Sequence, residues 1–384
     1  MEDVHLLTKI KTYLKERIKN GSCEFCFYNL VFILNLFLGF VQAQEIERRM
    51  IIFGDAGEIN HTQHFLIQKA QDLVIKDKTI AFFVGDNIYP DGMALMDQEK
   101  EKTENILKSQ FDDFRKTGVP VYFLAGNHDW DHSGKNGLEK VKAQANFLAQ
   151  FQDRALDFVP QAGTLGPESI QLAKDVVAIT FDSEYWLFPH HVKDIQQEKE
   201  DFIQELKQML EKHQDKTILI FSHHPMKSYG EHSLKYNWKD HLFPLTRLWK
   251  PLYIPLPAVG SLYPLVRSTA FKSAEDLKHP IYREMIDKVT TTVAEHPNTL
   301  FVAGHDHGLQ YIETKTIKQV VSGSGAKHSS IQPSKNLVYS YEDQGFCVID
   351  YLDNKDMLLS FYIVDVSNTL FQAFNLTIKH QAVN

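Results

Sequence analysis

Five short segments constrain this chain more than anything else in it: Gly54-Asp55-Ala56-Gly57, Gly85-Asp86-Asn87-Ile88-Tyr89, Gly126-Asn127-His128-Asp129, Ser222-His223-His224-Pro225 and Gly304-His305-Asp306-His307. Each follows a run rich in β-branched, aliphatic or aromatic residues, the pattern of a buried strand that ends in a tight loop. Together they offer Asp, Asn, Tyr and His, an oxygen and imidazole set that suits iron, zinc or manganese and can hold two ions side by side. One loop cannot surround two ions, so the fold must bring several strand ends to one place.

The strand candidates are Arg49–Phe53, Ile80–Val84, Val119–Leu124, Val176–Phe181, Thr217–Phe221, Leu300–Ala303, Gln319–Ser322, Phe346–Tyr351 and Leu358–Val364. Helical spacing of apolar residues predicts helices over His61–Lys76, Lys100–Thr117, Glu139–Phe151 and Asp194–His213. Strand–helix–strand alternation argues for parallel pairing in an α/β fold, and the late strands, which lack intervening helices, read as antiparallel additions. One stretch fits no compact unit. Leu252–Val266 is apolar, aromatic and broken by Pro255, Pro257 and Pro264, which excludes helix interiors and central strands. It reads as an ordered loop or cap within an insertion over 233–293. Such a loop either packs on the domain's own core or forms a surface that covers the site or touches a membrane or partner.

The N-terminus differs from the rest. Lys9, Lys11, Lys15, Arg17 and Lys19 precede an apolar run from Phe25 to Phe40, followed by Val41-Gln42-Ala43. The run is shorter than the roughly 20 residues of a spanning helix. Residues 1–43 therefore read as a secretory signal, which makes residues 44–384 a secreted or periplasmic domain. The competing reading is an uncleaved membrane anchor with the domain outside the cytoplasm. Of the three cysteines, Cys23 and Cys26 lie in this segment, and Cys347 reads as an inert core residue in a strand. The net charge of −8 offers no basic surface for nucleic acid, although small phosphate esters remain open to a metal site.

Two cations about 3.5–4 Å apart overcome the resistance of a phosphoester, by activating water and neutralising charge on the phosphoryl oxygens. Here the residues resemble those of the calcineurin-like metallophosphoesterase superfamily, and more narrowly the small, tartrate-resistant type of purple acid phosphatase. The match rests on Gly85-Asp86-x-x-Tyr89, on Gly304-His305-Asp306-His307-Gly308-Leu309-Gln310-Tyr311, and on Val321-Ser322-Gly323-Ser324-Gly325. It covers roughly Arg49 to Ser329, interrupted by the proline-rich stretch.

The resemblance implies a four-layer αββα sandwich of two mixed sheets with flanking helices. It also implies a site in which Asp55, Tyr89 and His307 hold Fe3+, Asp86 bridges, and Asn127, His223 and His305 hold a divalent Fe2+, Zn2+ or Mn2+. Metal-bound hydroxide would then attack phosphorus in line, with His128 and His232 contacting substrate or donating a proton to the leaving group. A trivalent ion lowers the pKa of bound water further than a divalent one, which favours activity in acid.

Each residue also has a plainer reading. A Gly-Asp after a strand is usually only a turn, and Tyr89 alone could be a packed aromatic; the companion motifs weigh against both. His224 rivals His223, but the family pattern aligns His223 as ligand and leaves His224 as pocket wall, with Ser222 where the family often has glycine. Asp129 and Asp306 read as residues that orient imidazoles or cap loops. His61, His64, His132, His190 and His191 read as surface or structural. The expected substrate is a small phosphate monoester. The rival readings are a phosphodiesterase or nucleotidase of the same superfamily, and a membrane- or partner-associated protein working through Leu252–Val266. The oligomeric state is open.

Overall fold

The computed structural model describes residues 44–189, 192–233, 254–256, 273–365 and 369–382. The N-terminal segment with Cys23 and Cys26, both His190 and His191, and the proline-rich stretch apart from 254–256 lie outside the described residues. The chain separates into Met1–Glu45 and Ile46–Asn384, and the described strands and helices lie in the second unit.

The first half of that unit alternates as its apolar runs predict. Strands β1 (Ile46–Phe53), β2 (Thr79–Val84), β3 (Val121–Leu124) and β4 (Leu156–Phe158) are parallel neighbours, joined through helices α1 (His61–Ala70), α2 (Asp97–Lys116) and α3 (Gly137–Ala149). Strands β5 (Glu168–Ala173) and β6 (Val176–Thr180) form a hairpin, followed by the short α4 (Ser183–Leu187), α5 (Ile195–Lys212), β7 (Thr217–Phe221), α6 (Pro280–Val293) and β8 (Thr299–Ala303). The chain closes with β9 (Leu309–Glu313), β10 (Lys318–Ser322), β11 (Leu337–Tyr341), β12 (Gly345–Leu352), β13 (Met357–Val364) and β14 (Leu370–Ile378).

Two seven-stranded mixed sheets result, ordered β14-β13-β12-β1-β2-β3-β4 and β11-β9-β10-β8-β7-β6-β5. They pack face to face with helices outside, which is the expected αββα sandwich. Strand β1 shows why the runs are continuously apolar: Met50 and Ile52 join the layer between the sheets, while Ile51 and Phe53 face the helices. Phe82 of β2 and Phe221 of β7 stack across the two sheets with centroids 4.4 Å apart.

Helix ends obey local chemistry. Asn60, Asp182 and Asp194 cap α1, α4 and α5 with side-chain oxygens on backbone N–H groups. Helix α1 stops at Ala70, short of the expected Lys76. A 3-10 turn over Gln71–Leu73 follows, the Arg49 guanidinium takes the Leu73 carbonyl at 2.7 Å, and Thr79 Oγ1 accepts the Ile75 N–H. Helix α6, in the region read as a cap, is instead a domain helix that buries Tyr282, Met285, Val289 and Val293. Tyr282 donates its hydroxyl to the Pro225 carbonyl at 2.8 Å, so α6 buttresses the loop that carries His223.

Candidate metal centre

The five segments sit at the C-terminal ends of parallel strands β1, β2, β3, β7 and β8. They converge because little separates them: a Cβ on Gly85 would lie 2.4 Å from His223 Nδ1, and one on Gly126 would lie 2.3 Å from the Asp86 nitrogen. Gly85 also has φ +95°, which a side chain would strain. Asp55, Asp86 and His305 themselves take left-handed backbone, at φ 56°, 57° and 69°. Such conformations persist where the surroundings over-determine them. Here the restraints are the Asp55 N–H on the Gly85 carbonyl, the Gly57 N–H on the Asp86 carbonyl, and the His305 N–H on Asp55 Oδ2.

Two donor clusters result. In the first, the Tyr89 hydroxyl stands 3.2 Å from Asp55 Oδ1, 3.0 Å from Asp86 Oδ2 and 3.4 Å from His307 Nε2. In the second, Asn127 Oδ1 lies 3.0 Å from His223 Nε2 and 3.3 Å from His305 Nδ1. Asp86 belongs to both, since its other oxygen, Oδ1, is 3.4 Å from His223 Nε2. The seven residues expected as ligands are therefore brought together, with Asp86 between the two groups.

His224 has polar partners of its own. Its Nδ1 is 2.9 Å from the Ser183 hydroxyl and its Nε2 is 3.7 Å from Glu184 Oε2. One nitrogen each of His223, His224 and His305 nonetheless lies within 4.8 Å of the others, so His224 is a close neighbour of the second cluster. Burial, and then the neighbouring His223 and His232, hold its pKa well below the usual imidazole value.

The expected substrate histidines flank the clusters. The His128 ring is 4.3 Å from the Tyr89 ring, and its Nε2 is 3.8 Å from Asp86 Oδ2. His132, read from sequence as surface or structural, packs edge-on against His128 at 4.1 Å. The His232 ring packs at a tilt against the His305 ring, with centroids 4.0 Å apart, and its Nδ1 lies 3.5 Å from Asp276 Oδ1. Burial alone would lower the His232 pKa; Asp276, Asp306 and Glu275 outweigh it and lift the value to about 9.

Asp129 and Asp306 are tied to the site as orienting residues. Asp129 accepts the Gly126 and Asn87 N–H groups and the Asn87 side-chain amide, which clamps the β2 and β3 loops together. Burial, and then the nearby Asp86 carboxylate, push its carboxyl up to about 8. Asp306 accepts the His232 N–H at 3.1 Å.

Sequence reasoning missed several contributors. The Gln110 amide donates to the Asn87 carbonyl at 2.7 Å, so α2 grips the β2 loop. Ser133 donates to the buried Glu184 carboxyl beside His224. Asp276 approaches His232, and the Glu275 carbonyl lies 3.2 Å from His305 Nε2. None of these carries a motif, and each is near the site only in space.

The donor set fits metal ions. Asp55 and Asp86 are buried, and among the described residues no lysine or arginine pairs with either. Burial, and then these two carboxylates, push the Tyr89 phenol well above its usual pKa. Converging buried anions of this kind need a cation between them. Oxygen donors on one side and imidazoles plus an amide oxygen on the other suit iron, zinc or manganese.

Two donor clusters of this kind, at the strand ends of an αββα sandwich, suit metal-assisted hydrolysis of a phosphoester. The chain belongs to the calcineurin-like phosphoesterase family, whose model matches residues 48–246. It is 24% identical to human tartrate-resistant acid phosphatase type 5 over 306 residues, 75% of this chain and 76% of that one. Among solved structures it superposes at TM-score 0.52 and 15% identity on GAP50, described as the anchor in the inner membrane complex of Plasmodium, covering 88% of this chain and 90% of that one. It superposes at TM-score 0.50 and 16% identity on purple acid phosphatase PPD1 from yellow lupin seeds, covering 86% of this chain and 53% of the lupin chain. These two superpositions concern the fold.

Proposed function

We propose that the protein is a purple-acid-phosphatase-type phosphomonoesterase that uses two metal ions, Fe3+ with a divalent Fe2+, Zn2+ or Mn2+. The observation that carries this reading is the Tyr89 hydroxyl, set between Asp55, Asp86 and His307 on the oxygen-rich side. The similarity to human tartrate-resistant acid phosphatase type 5 supports it. Asp55, Tyr89 and His307 would hold the ferric ion, Asn127, His223 and His305 the divalent one, and Asp86 both. When bound, the ions would activate water and neutralise charge on the phosphoryl oxygens. The protein's own groups do the rest. His128 donates Nδ1–H to the Pro90 carbonyl, and as an imidazolium it would offer its second N–H, at Nε2, to a phosphoryl oxygen. His232, held protonated by three nearby carboxylates, hands a proton to the departing oxygen. The signal-like N-terminus would put this activity outside the cytoplasm.

The test is a visible spectrum with metal analysis on protein purified without added metal, together with hydrolysis of a phosphomonoester and a phosphodiester. Two metals per chain, at least one of them iron, a broad visible band that Tyr89→Phe abolishes, and preference for the monoester are expected. A colourless zinc or manganese protein that prefers diesters would overturn the purple-phosphatase reading in favour of a phosphodiesterase. A protein that takes up no metal and turns over neither ester would leave the fold as a scaffold.

A further inference from the structure

A cavity of 630 Å³ opens beside the oxygen-rich cluster, with Tyr89, His128 and His307 along its inner side. This is far more room than a phosphoryl group needs and falls in the range of small-molecule sites. We propose that the cavity receives the leaving group of the ester and selects one that is aromatic and carries a further negative charge. The proposal rests on the reading of the site as a phosphomonoesterase and names its substrate class.

Three observations on the wall support it. First, the wall is mainly apolar: Ile59, Pro90 and Ile106 line it, and Ile59 stays 52% exposed. A flat apolar group would cover that surface. Second, the cations on the wall are lysines, Lys102 of α2 and Lys327 after β10. The Lys327 ammonium lies 4.3 Å from the centre of the Tyr89 ring, which places a positive charge directly beside the site. Third, the charges do not cancel. Lys327 pairs with Glu58, also on the wall, whereas Lys102 pairs with no acidic side chain among the described residues. Two cations against one carboxylate leave one positive charge, which a single anionic substituent on the leaving group would balance.

The chemistry is ordinary ester hydrolysis. The bond from phosphorus to the aryl oxygen breaks, water supplies the new oxygen on phosphorus, and the phenol leaves with a proton. What the cavity adds is discrimination between leaving groups.

The experiment compares kcat/KM of the metal-loaded protein for phenyl phosphate, para-carboxyphenyl phosphate and para-(aminomethyl)phenyl phosphate. The carboxylated ester is expected to be preferred over the neutral one by about tenfold, with the aminomethyl ester worst, and the preference should shrink as salt rises. Lys102→Met and Lys327→Met keep the aliphatic stems and should each cut the preference about threefold, while Lys102→Arg and Lys327→Arg should retain it. Equal turnover of the three esters by the unaltered protein, or a preference that neither methionine variant changes, would overturn the proposal. Titration with phenylphosphonate and para-carboxyphenylphosphonate, followed by calorimetry, asks the same question without turnover. Tighter binding of the carboxylated compound that the methionine variants lose supports the cavity even if no ester is hydrolysed, an outcome that would sink the phosphatase reading alone. Equal binding of the two overturns the proposal whatever the activity.

Discussion

The His305 backbone N–H donates to Asp55 Oδ2 at 2.9 Å, while Asp55 Oδ1 faces the Tyr89 hydroxyl and His307. One carboxylate thus does two jobs, with one oxygen building the loop after β8 and the other facing the oxygen-rich donor cluster.

Asp55→Asn can keep its carbonyl on the His305 N–H while losing the charge. It should fold with near-normal metal-free stability and lose at least one metal per chain. Asp55→Ala also strands the buried N–H and should cost the metal-free protein about 1–3 kcal/mol. Elemental analysis and denaturant melts of both variants separate the two jobs. Equal metal-free stability of the two would refute the division.

Gly85→Ala places a methyl group within 2.4 Å of His223 Nδ1 at φ +95°. Both the clash and the backbone strain act on a loop that cannot move without taking Asp86 with it. A loss of about 2–4 kcal/mol is expected, together with weaker metal retention. Thermal melts with and without chelator would show it.

Asp182 accepts bonds from the Trp130 indole and the Tyr185 N–H, yet burial pushes its pKa up to about 6. A raised carboxyl pKa means that the folded state favours the protonated form. Its stabilising contribution is present below the unfolded value near 3.8 and is lost as pH rises through about 6. A shift of this size corresponds to about 3 kcal/mol. Asp182→Asn, which does not ionise, should therefore gain stability relative to the unaltered protein between pH ~4 and ~7. Melts across that range measure the difference, and a constant difference would contradict the assignment.

Arg49 and Asp350 pair side by side, at 2.6 and 2.7 Å, where β1 meets β12. Asp350→Ala leaves the guanidinium largely buried without its partner and should cost about 3 kcal/mol. Arg49→Met with Asp350→Leu should recover much of that, because the paired desolvation cost disappears with the charges. A double variant no more stable than Asp350→Ala would argue against this account.

The parallel strands were legible because burial on both faces forces continuous apolar runs: Thr217–Phe221 is a strand with the predicted bounds, and β1, β2 and β8 differ by a few residues. Other elements were illegible for physical reasons. β5, β11 and β14 alternate weakly between partly buried and exposed positions, so their sequences show no strong period. β9 begins just after the loop segment 304–307, so its short apolar run merges with the loop residues before it. Helix α6 was obscured by the proline-rich run before it, although Tyr282, Met285, Val289 and Val293 have helical spacing.

By itself the sequence determined the donor types, the strand ends that carry them and an α/β fold with parallel pairing, because apolar period and loop chemistry are local properties; the αββα sandwich was implied by the resemblance of its motifs to a known family. Only the tertiary structure decided which atoms meet. It set the two oxygens of Asp86 between two clusters, turned His224 toward Ser183 and Glu184, brought Asp276 to His232, and put Lys102 and Lys327 on one cavity wall. Those contacts join residues far apart in the chain, and their geometry depends on how two sheets and their loops pack, which no local pattern encodes.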